Sequence, residues 1–439
     1  MASTYIYRDN DATAGGGYTS TWTWSAWVKR GTLGEQGLFM NRRIDHVSNS
    51  RMRFYFSSDG RLAMEVKDST SGDDSFFQTN KLFRDTSAWY NIVLAYDTTQ
   101  SAENDRIKLW INNEEVTSWE QFNRAGSTFG MLFSSATRSM LGIATNNSNT
   151  DFMFDGSMSH VHFIYGTAYT PSAFGETDAT TGEWKIKTDV SVTYGSQGFF
   201  VLKDGNSATD QSGQSNNMTI AGGTLTKTED CPSNVFATLN PLDTHHSDTN
   251  TFANGNTSIT TNSNGSRSTL AVESGKFYAE IKIPNTTCFL GVQDQSKSVN
   301  GNDKLIQLYT AGATLYIDGS NQGSGGYGSG WASNDIMRIA LDLTSATKKV
   351  YYGKNGGWWN GTDYSATSPT TGINLDNNMT YAFSSRSGSG SPTAHWNFGN
   401  GYFGTTAVSS AGTNASGNGI FEYDVPTGYT ALSTKGLNL

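Results

Sequence analysis

The chain has 439 residues, 48 of them Gly and 7 Pro, with 16% charged residues and a formal net charge of −9 at pH 7. A mildly acidic chain without a Lys/Arg cluster argues against a nucleic-acid partner, and no run approaches the ~20 apolar residues that span a bilayer. Abundant Gly, Ser, Thr and Asn with few Pro describe short strands joined by tight polar turns, and the length favours two domains over one.

In chain order, MASTYIYRDND offers neither a basic n-region nor an apolar h-region, so a secretory signal is not expected. Residues 1–20 read as a polar arm in which Tyr5, Ile6, Tyr7 and Arg8 precede a flexible Gly15–Gly17 hinge. Two readings of it stand: Tyr5, Tyr7 and Arg8 are assembly contacts to a neighbouring subunit, or Tyr5 and Tyr7 form an edge strand of the first domain. Thr21–Arg30 (TWTWSAWVKR) sets Trp22, Trp24, Ala26 and Val28 on one face. Ser87–Thr99 opposes Trp89, Asn91, Val93 and Ala95 to Tyr90, Ile92, Leu94 and Tyr96. Both strands are apolar on both faces or nearly so, as in the middle of a β-sandwich. Arg106–Ile111 buries Ile107, Leu109 and Ile111; Asn112-Asn113 tolerates the positive φ of a tight turn, and Val116 opens the return strand.

A further strand is expected in Thr193–Asp204, then a polar loop over Asp204–Thr219, with a domain boundary near residue 240 in CPSNVFATLNPLD. The second half restarts the alternation in Ser274–Ile283, where Phe277, Ala279, Ile281 and Ile283 share a face. Asn334–Asp363 reads as strand, turn, strand, with the turn at Lys354–Gly357, and Asn378–Ser387 and Thr393–Asn400 are further strands. Cys231 and Cys288, 57 residues apart, have neither metal-ligand nor redox spacing and read as free thiols.

The ordered strings Thr21–Arg30, Arg84–Gln100, Asp105–Val116 and Phe154–Lys187 (FDGSMSHVHFIYGTAYTPSAFGETD and onward) resemble a laminin-G-like domain, the concanavalin A-like jelly roll. The resemblance is closest to the form found in structural proteins of tailed bacteriophages. The second half resembles a SPRY-type β-sandwich through Gly275–Ile281, the IALDL-to-VYYGKNGGWWNG hairpin, HWNFG (His395–Gly399) and the closing VPTGYTALSTKGLNL. It departs from that family at Tyr402–Asp424, a longer Gly/Ser/Asn-rich insertion that offers itself as an interaction loop. The resemblance implies an all-β chain: a residue 1–20 arm, a concanavalin A-like sandwich over 21–240 and a SPRY-like sandwich over 241–439. It further implies a non-enzymatic component of a phage virion, a tail fibre, head fibre or capsid decoration protein assembled in the host cytoplasm. Its partners would be other virion proteins, further copies of itself and a host-surface polysaccharide.

The alternative is a glycan-degrading enzyme of the same fold. Such enzymes carry E-x-D-x-E or E-x-D-x-x-E on one strand, because nucleophile and acid must flank one glycosidic bond. Here Glu176 and Asp178 are followed by Thr181 where the third carboxylate belongs, and Glu183 comes two residues late, so catalysis is not expected. His160 and His162 form an i, i+2 pair with no further ligand set and read as packing, while His245 and His246 point to opposite sides of an extended chain. No metal site is expected; calcium, which sandwich lectins often bind through loop oxygens, stays open at Asp73, Asp74, Asp151, Asp155, Asn146 and Asn147. For a sugar ligand the candidates are Tyr327 and Trp331, flanking GYGSGW, and Trp358-Trp359 beside the hairpin turn, with packing of the same rings as the competing reading.

Overall fold

A computed structural model describes the chain apart from residues 1–3, 11–17, 45–50, 68–73, 124–125, 127–129, 135, 146–150, 204, 206, 245–249, 262–264, 285–286, 300, 324, 329 and 439. It divides into two compact units, Met1–Lys227 and Thr228–Leu439. Both are β-sandwiches, and the helical segments among the described residues are single 3₁₀ turns at Glu103–Asp105, Pro171–Ala173 and Gly436–Asn438.

In the first unit an eight-stranded antiparallel sheet runs in the order Trp119–Asn123, Asp74–Leu82, Arg61–Lys67, Arg51–Phe56, Gln36–Arg43, Thr137–Leu141, Tyr5–Asp9, Thr219–Ala221. Its partner has six strands: Glu114–Glu115, Ile107–Ile111, Trp89–Asp97, Thr21–Arg30, Gly156–Tyr165, Phe199–Val201. The expected alternation places Trp22, Trp24, Ala26 and Val28 in the core, where Trp24 meets Phe54 edge-on at 5.2 Å. The other face of the six-stranded sheet is also covered, by a cluster of Val93, Ile164, Phe174, Tyr194 and Phe200. That cover explains why these strands are apolar on both faces.

The reading of residues 1–20 as an assembly arm is corrected. Tyr5–Asp9 is a strand paired on both sides, with Ile6 opposite Leu141 and Ile220. Ile6 and Arg8 alternate onto the inner face, where Ile6 joins the core and Arg8 donates to Asn10 Oδ1, Gln197 Oε1 and Asn216 Oδ1 at 3.3, 3.1 and 2.7 Å. Tyr5 and Tyr7 turn outward onto Met40, Met140 and Ile143, with the Arg138 guanidinium 4.0 Å above the Tyr7 ring. Arg8 also explains the polar loop that follows Phe199–Val201. Asp210 accepts from the backbone N–H of Phe200, Ser212 and Asn216, which holds Asn216 against Arg8. The hinge Gly15–Gly17 lies outside the described residues.

The boundary falls at Lys227/Thr228, earlier than the expected 240. Phe236, Ala237 and Leu239 are apolar and seat in the second unit; Ala237 N–H donates to Leu432 O at 2.8 Å and Leu239–Thr244 pairs with Ser266–Ser268. This unit packs a seven-stranded sheet, ordered Leu239–Thr244, Ser266–Ser268, Tyr381–Ser387, Cys288–Asp294, Leu305–Tyr309, Thr314–Ile317, Ser320–Asn321, against a nine-stranded one. The latter centres on Lys276–Ile283 and Asp335–Asp342, and Phe277, Ala279, Ile281 and Ile283 enter the core together. The turn after Lys349–Lys354 carries Asn355 at φ 51°, the left-handed geometry its sequence suggested.

The insertion Tyr402–Asp424 is fastened to this sheet by a buried polar chain. Arg338 donates to Tyr278 Oη at 2.9 Å and to Asp424 O at 2.5 Å, and Tyr278 donates to Glu280 Oε1 at 2.7 Å. Glu280 in turn accepts from the backbone N–H of Glu422 and Tyr423 at 2.8 and 2.9 Å. Satisfied in this way, a buried charged network fixes one arrangement of the segment that closes over it.

Candidate functional site

The rings that the sequence offers as ligand platforms are packing residues in three of four cases. Trp331, Trp358 and Trp359 are 5%, 1% and 5% exposed, too little for an indole face to meet a sugar. The Gly357–Trp358 strand folds back on Lys349–Lys354 and places Trp358 under the Arg338 guanidinium, 4.4 Å away, beside Tyr278 and Phe421. Trp359 stacks on Tyr327 at 4.9 Å and Trp331 meets Tyr364 edge-on at 5.6 Å. Tyr327 is half-buried against the main core, and burial pushes its phenol up to about 12.

The carboxylates Glu176 and Asp178 share one cation, Lys185, at 3.4 and 3.1 Å. Asp178 also accepts the backbone N–H of Thr180 and Thr181, and these hydrogen bonds, more than Lys185, hold its carboxyl down at about 2. A carboxylate held so far below neutrality is a turn cap rather than a proton donor. His162 is buried, stacked on Phe200 at 4.0 Å, with Nδ1 2.9 Å from Tyr194 Oη, and burial holds its imidazole well below the usual range. His160 also lies against Phe200, within the register irregularity between Ser159 and His162. Of the other residues considered for metals, Asp73, Asn146, Asn147, His245 and His246 lie outside the described residues. Cys231 and Cys288 are thiols not joined in a disulfide, and burial pushes the Cys288 thiol up to about 12.

A site that none of these motifs marked lies on the outer face of the seven-stranded sheet. Leu290, Val292, Ile306, Leu308 and Leu315 turn inward to the core, so the alternate residues of the same strands turn outward. Register aligns Arg386, Phe289 and Tyr309 as directly opposed neighbours on three adjacent strands, and Tyr316 sits on the fourth, opposite Gln307. Four strands carry such a row about 14 Å. Phe289 stacks on Tyr309 at 4.5 Å and meets Tyr316 edge-on at 5.0 Å, and all three rings are half-buried.

Neighbouring segments shape the two ends of this face. Toward one, Gln293 donates to Ser298 O and Gly301 O and Gln307 to Ser384 Oγ, so the loop after Cys288–Asp294 covers that part. Asn302 of the same loop accepts from Arg386 Nη1 at 3.0 Å. Toward the other, Gly388 lets the rings lie against the backbone: a Cβ there would sit 2.3 Å from Tyr309 Cε2 and 3.1 Å from Phe289 Cε2. Asn321 reaches the Tyr316 hydroxyl at 3.4 Å. A flat aromatic row with an arginine at its end can stack on a ring-shaped ligand and donate to an oxygen at the ligand's edge. In the sequence, an aromatic set out of phase with the core residues, as in CFLGVQD, is the signal for such a row.

Residues 3–173 match the family model of the concanavalin A-like lectin/glucanases superfamily, a span that includes the Tyr5–Asp9 strand. No curated protein matches the chain. Among solved structures, it is similar to a SAP-like pentraxin of Limulus polyphemus, at 12% identity over 38% of this chain and 78% of that one, with a TM-score of 0.25. It is also similar to the SPRY domain of human HERC1, at 14% identity over 36% of this chain and 96% of that one, TM-score 0.26. A third is the CBM40 of a Ruminococcus gnavus IT-sialidase, bound to α2,3-sialyllactose, at 16% identity over 38% of this chain and 94% of that one, TM-score 0.27.

Proposed function

We propose that this chain is a non-enzymatic, glycan-binding structural component of a bacteriophage virion, a tail fibre, head fibre or capsid decoration protein present in several copies. The row Phe289, Tyr309 and Tyr316 carries the binding half of this reading, because three half-buried rings in mutual contact on one sheet face offer a stacking surface. The virion half is supported by the motif order of the first unit and its resemblance to tailed-phage structural proteins. The match of residues 3–173 to a lectin and glucanase superfamily accords with a saccharide ligand. Hydrolysis is disfavoured by the capture of Glu176 and Asp178 on Lys185, which pairs both carboxylates with one cation where cleavage needs them placed on either side of a glycosidic bond. Many copies on one particle convert a weak contact per chain into tight attachment, by a factor of about 10² to 10⁴.

The test is retention of the full chain on immobilised host-envelope polysaccharide. Wild type should be retained without releasing reducing sugar, and Tyr309→Ala should lose about 2 kcal/mol of affinity, roughly 30-fold. Absence of wild-type retention, or release of reducing sugar, would overturn the reading.

A further inference from the structure

Arg386 differs from the other buried guanidiniums of the chain. Arg267 is forked onto Asp243 at 2.7 and 2.9 Å, and Arg30 donates to Gln36, Phe83 O and Gly34 O. Arg386 is half-buried, yet among the described residues it makes one hydrogen bond, from Nη1 to the neutral Asn302 amide, and no ion pair. Its Nε–Nη2 edge, the edge that forks onto a carboxylate, is left without a protein acceptor among the described residues. Burial depresses the guanidinium below its usual range, with no offsetting charge among the described residues. A cation held in that condition gains most from an anion brought by a ligand.

Its position says what else that ligand presents. Arg386 stands directly opposite Phe289, which stands directly opposite Tyr309, so an anion on Arg386 lies one strand spacing from a stacking surface. Free phosphate or a carboxylate alone would leave the rings uncovered, while a neutral sugar would leave the guanidinium fork unused. We propose that the outer face of the second unit's seven-stranded sheet binds a carboxylate-bearing sugar, its ring against Tyr309 and Phe289 and its carboxylate forked on Arg386. This rests on the glycan-binding reading and assigns the class of sugar to it.

The experiment measures affinity of the full chain, by titration calorimetry, for an oligouronate, for a sialylated trisaccharide and for the methyl ester of each, which keeps the rings and removes the charge. At least one acid should bind about tenfold or more tightly than its ester. Arg386→Gln should bring the acid down to the ester's affinity without changing the ester, and Arg386→Lys should restore part of the difference, since a point charge remains without the fork. Tyr309→Ala should weaken acid and ester alike. Equal affinity of wild type for acid and ester, or a ratio unchanged in Arg386→Gln with wild-type circular dichroism, would overturn the assignment and leave glycan binding standing. Absence of binding to every saccharide, acid and ester, would overturn the glycan reading and this inference with it.

Discussion

The two units each turn one large sheet face outward; arginines on the first are paired with acids, as is Arg267 on the second, whereas Arg386 on the second has no ion pair among the described residues. On the first unit's eight-stranded sheet, Glu65 receives Arg51 at 2.6 Å, Arg53 at 2.7 Å and Lys67 at 3.5 Å, and Arg53 reaches on to Glu35 at 3.4 Å. Aromatics on that face are occupied as well, since Arg53 lies 4.3 Å over Tyr55 and Arg138 4.0 Å over Tyr7. On the second unit's seven-stranded sheet, Arg386 has one amide for company and the rings beside it touch each other. A face that satisfies its own charges stabilises the fold. On the reading proposed above, a guanidinium with no acid among the described residues suits an anion brought by a ligand.

If the first face is structural, removing its parts should unfold that unit. The largest effect is expected for deletion of residues 1–10, which strips a strand, the Ile6 side chain and the Arg8 network: about 5 kcal/mol or more, seen calorimetrically as loss of one thermal transition. Glu65→Ala should follow at about 3–5 kcal/mol in urea denaturation, because it strands two largely buried guanidiniums. A carboxylate inside the second unit gives the next contrast. Burial pushes Glu280 up to about 7 from 4.5, against the hydrogen bonds it accepts. The folded state therefore holds the extra proton between those values. This contribution to stability is fully present below pH 4.5 and declines as pH rises through 7, by on the order of 3 kcal/mol. Glu280→Gln should flatten that slope in denaturation curves taken from pH 4 to pH 8. The smallest effect is expected for Arg386→Ala, under about 1 kcal/mol by thermal melting, since among the described residues its guanidinium makes one hydrogen bond, to a neutral amide. A destabilisation matching that of Glu65→Ala would abolish the distinction between the faces.

Period-2 alternation was enough to read Thr21–Arg30, Trp89–Asp97, Ile107–Ile111 and Lys276–Ile283 as strands and to sort their core residues. It could not say which second faces are covered. Phe200 and Phe289 both lie out of phase with the core residues of their strands. Phe200 is buried beneath Phe174 and Tyr194, whereas no comparable cover lies over Phe289 among the described residues. That difference comes from loops distant in sequence, and alternation carries no record of it. For Trp358 and Trp359 the packing reading holds over the ligand reading: a Gly-rich turn beside them looks exposed, but the short strand Gly357–Trp358 folds the indoles inward. Of the two readings of residues 1–20 the strand holds, but not at an edge: so short a segment does not announce in sequence that Thr137–Leu141 and Thr219–Ala221 pair with it on both sides.

The central claim is that ligand binds on the second unit's outer sheet face. A crystal structure of the full chain with the acidic oligosaccharide that binds it most tightly would test this directly. The account predicts a sugar ring stacked on Tyr309 and Phe289 with its carboxylate within hydrogen-bond distance of Arg386 Nε and Nη2. A saccharide seated on the first unit, with Arg386 unchanged beside Asn302, would contradict it.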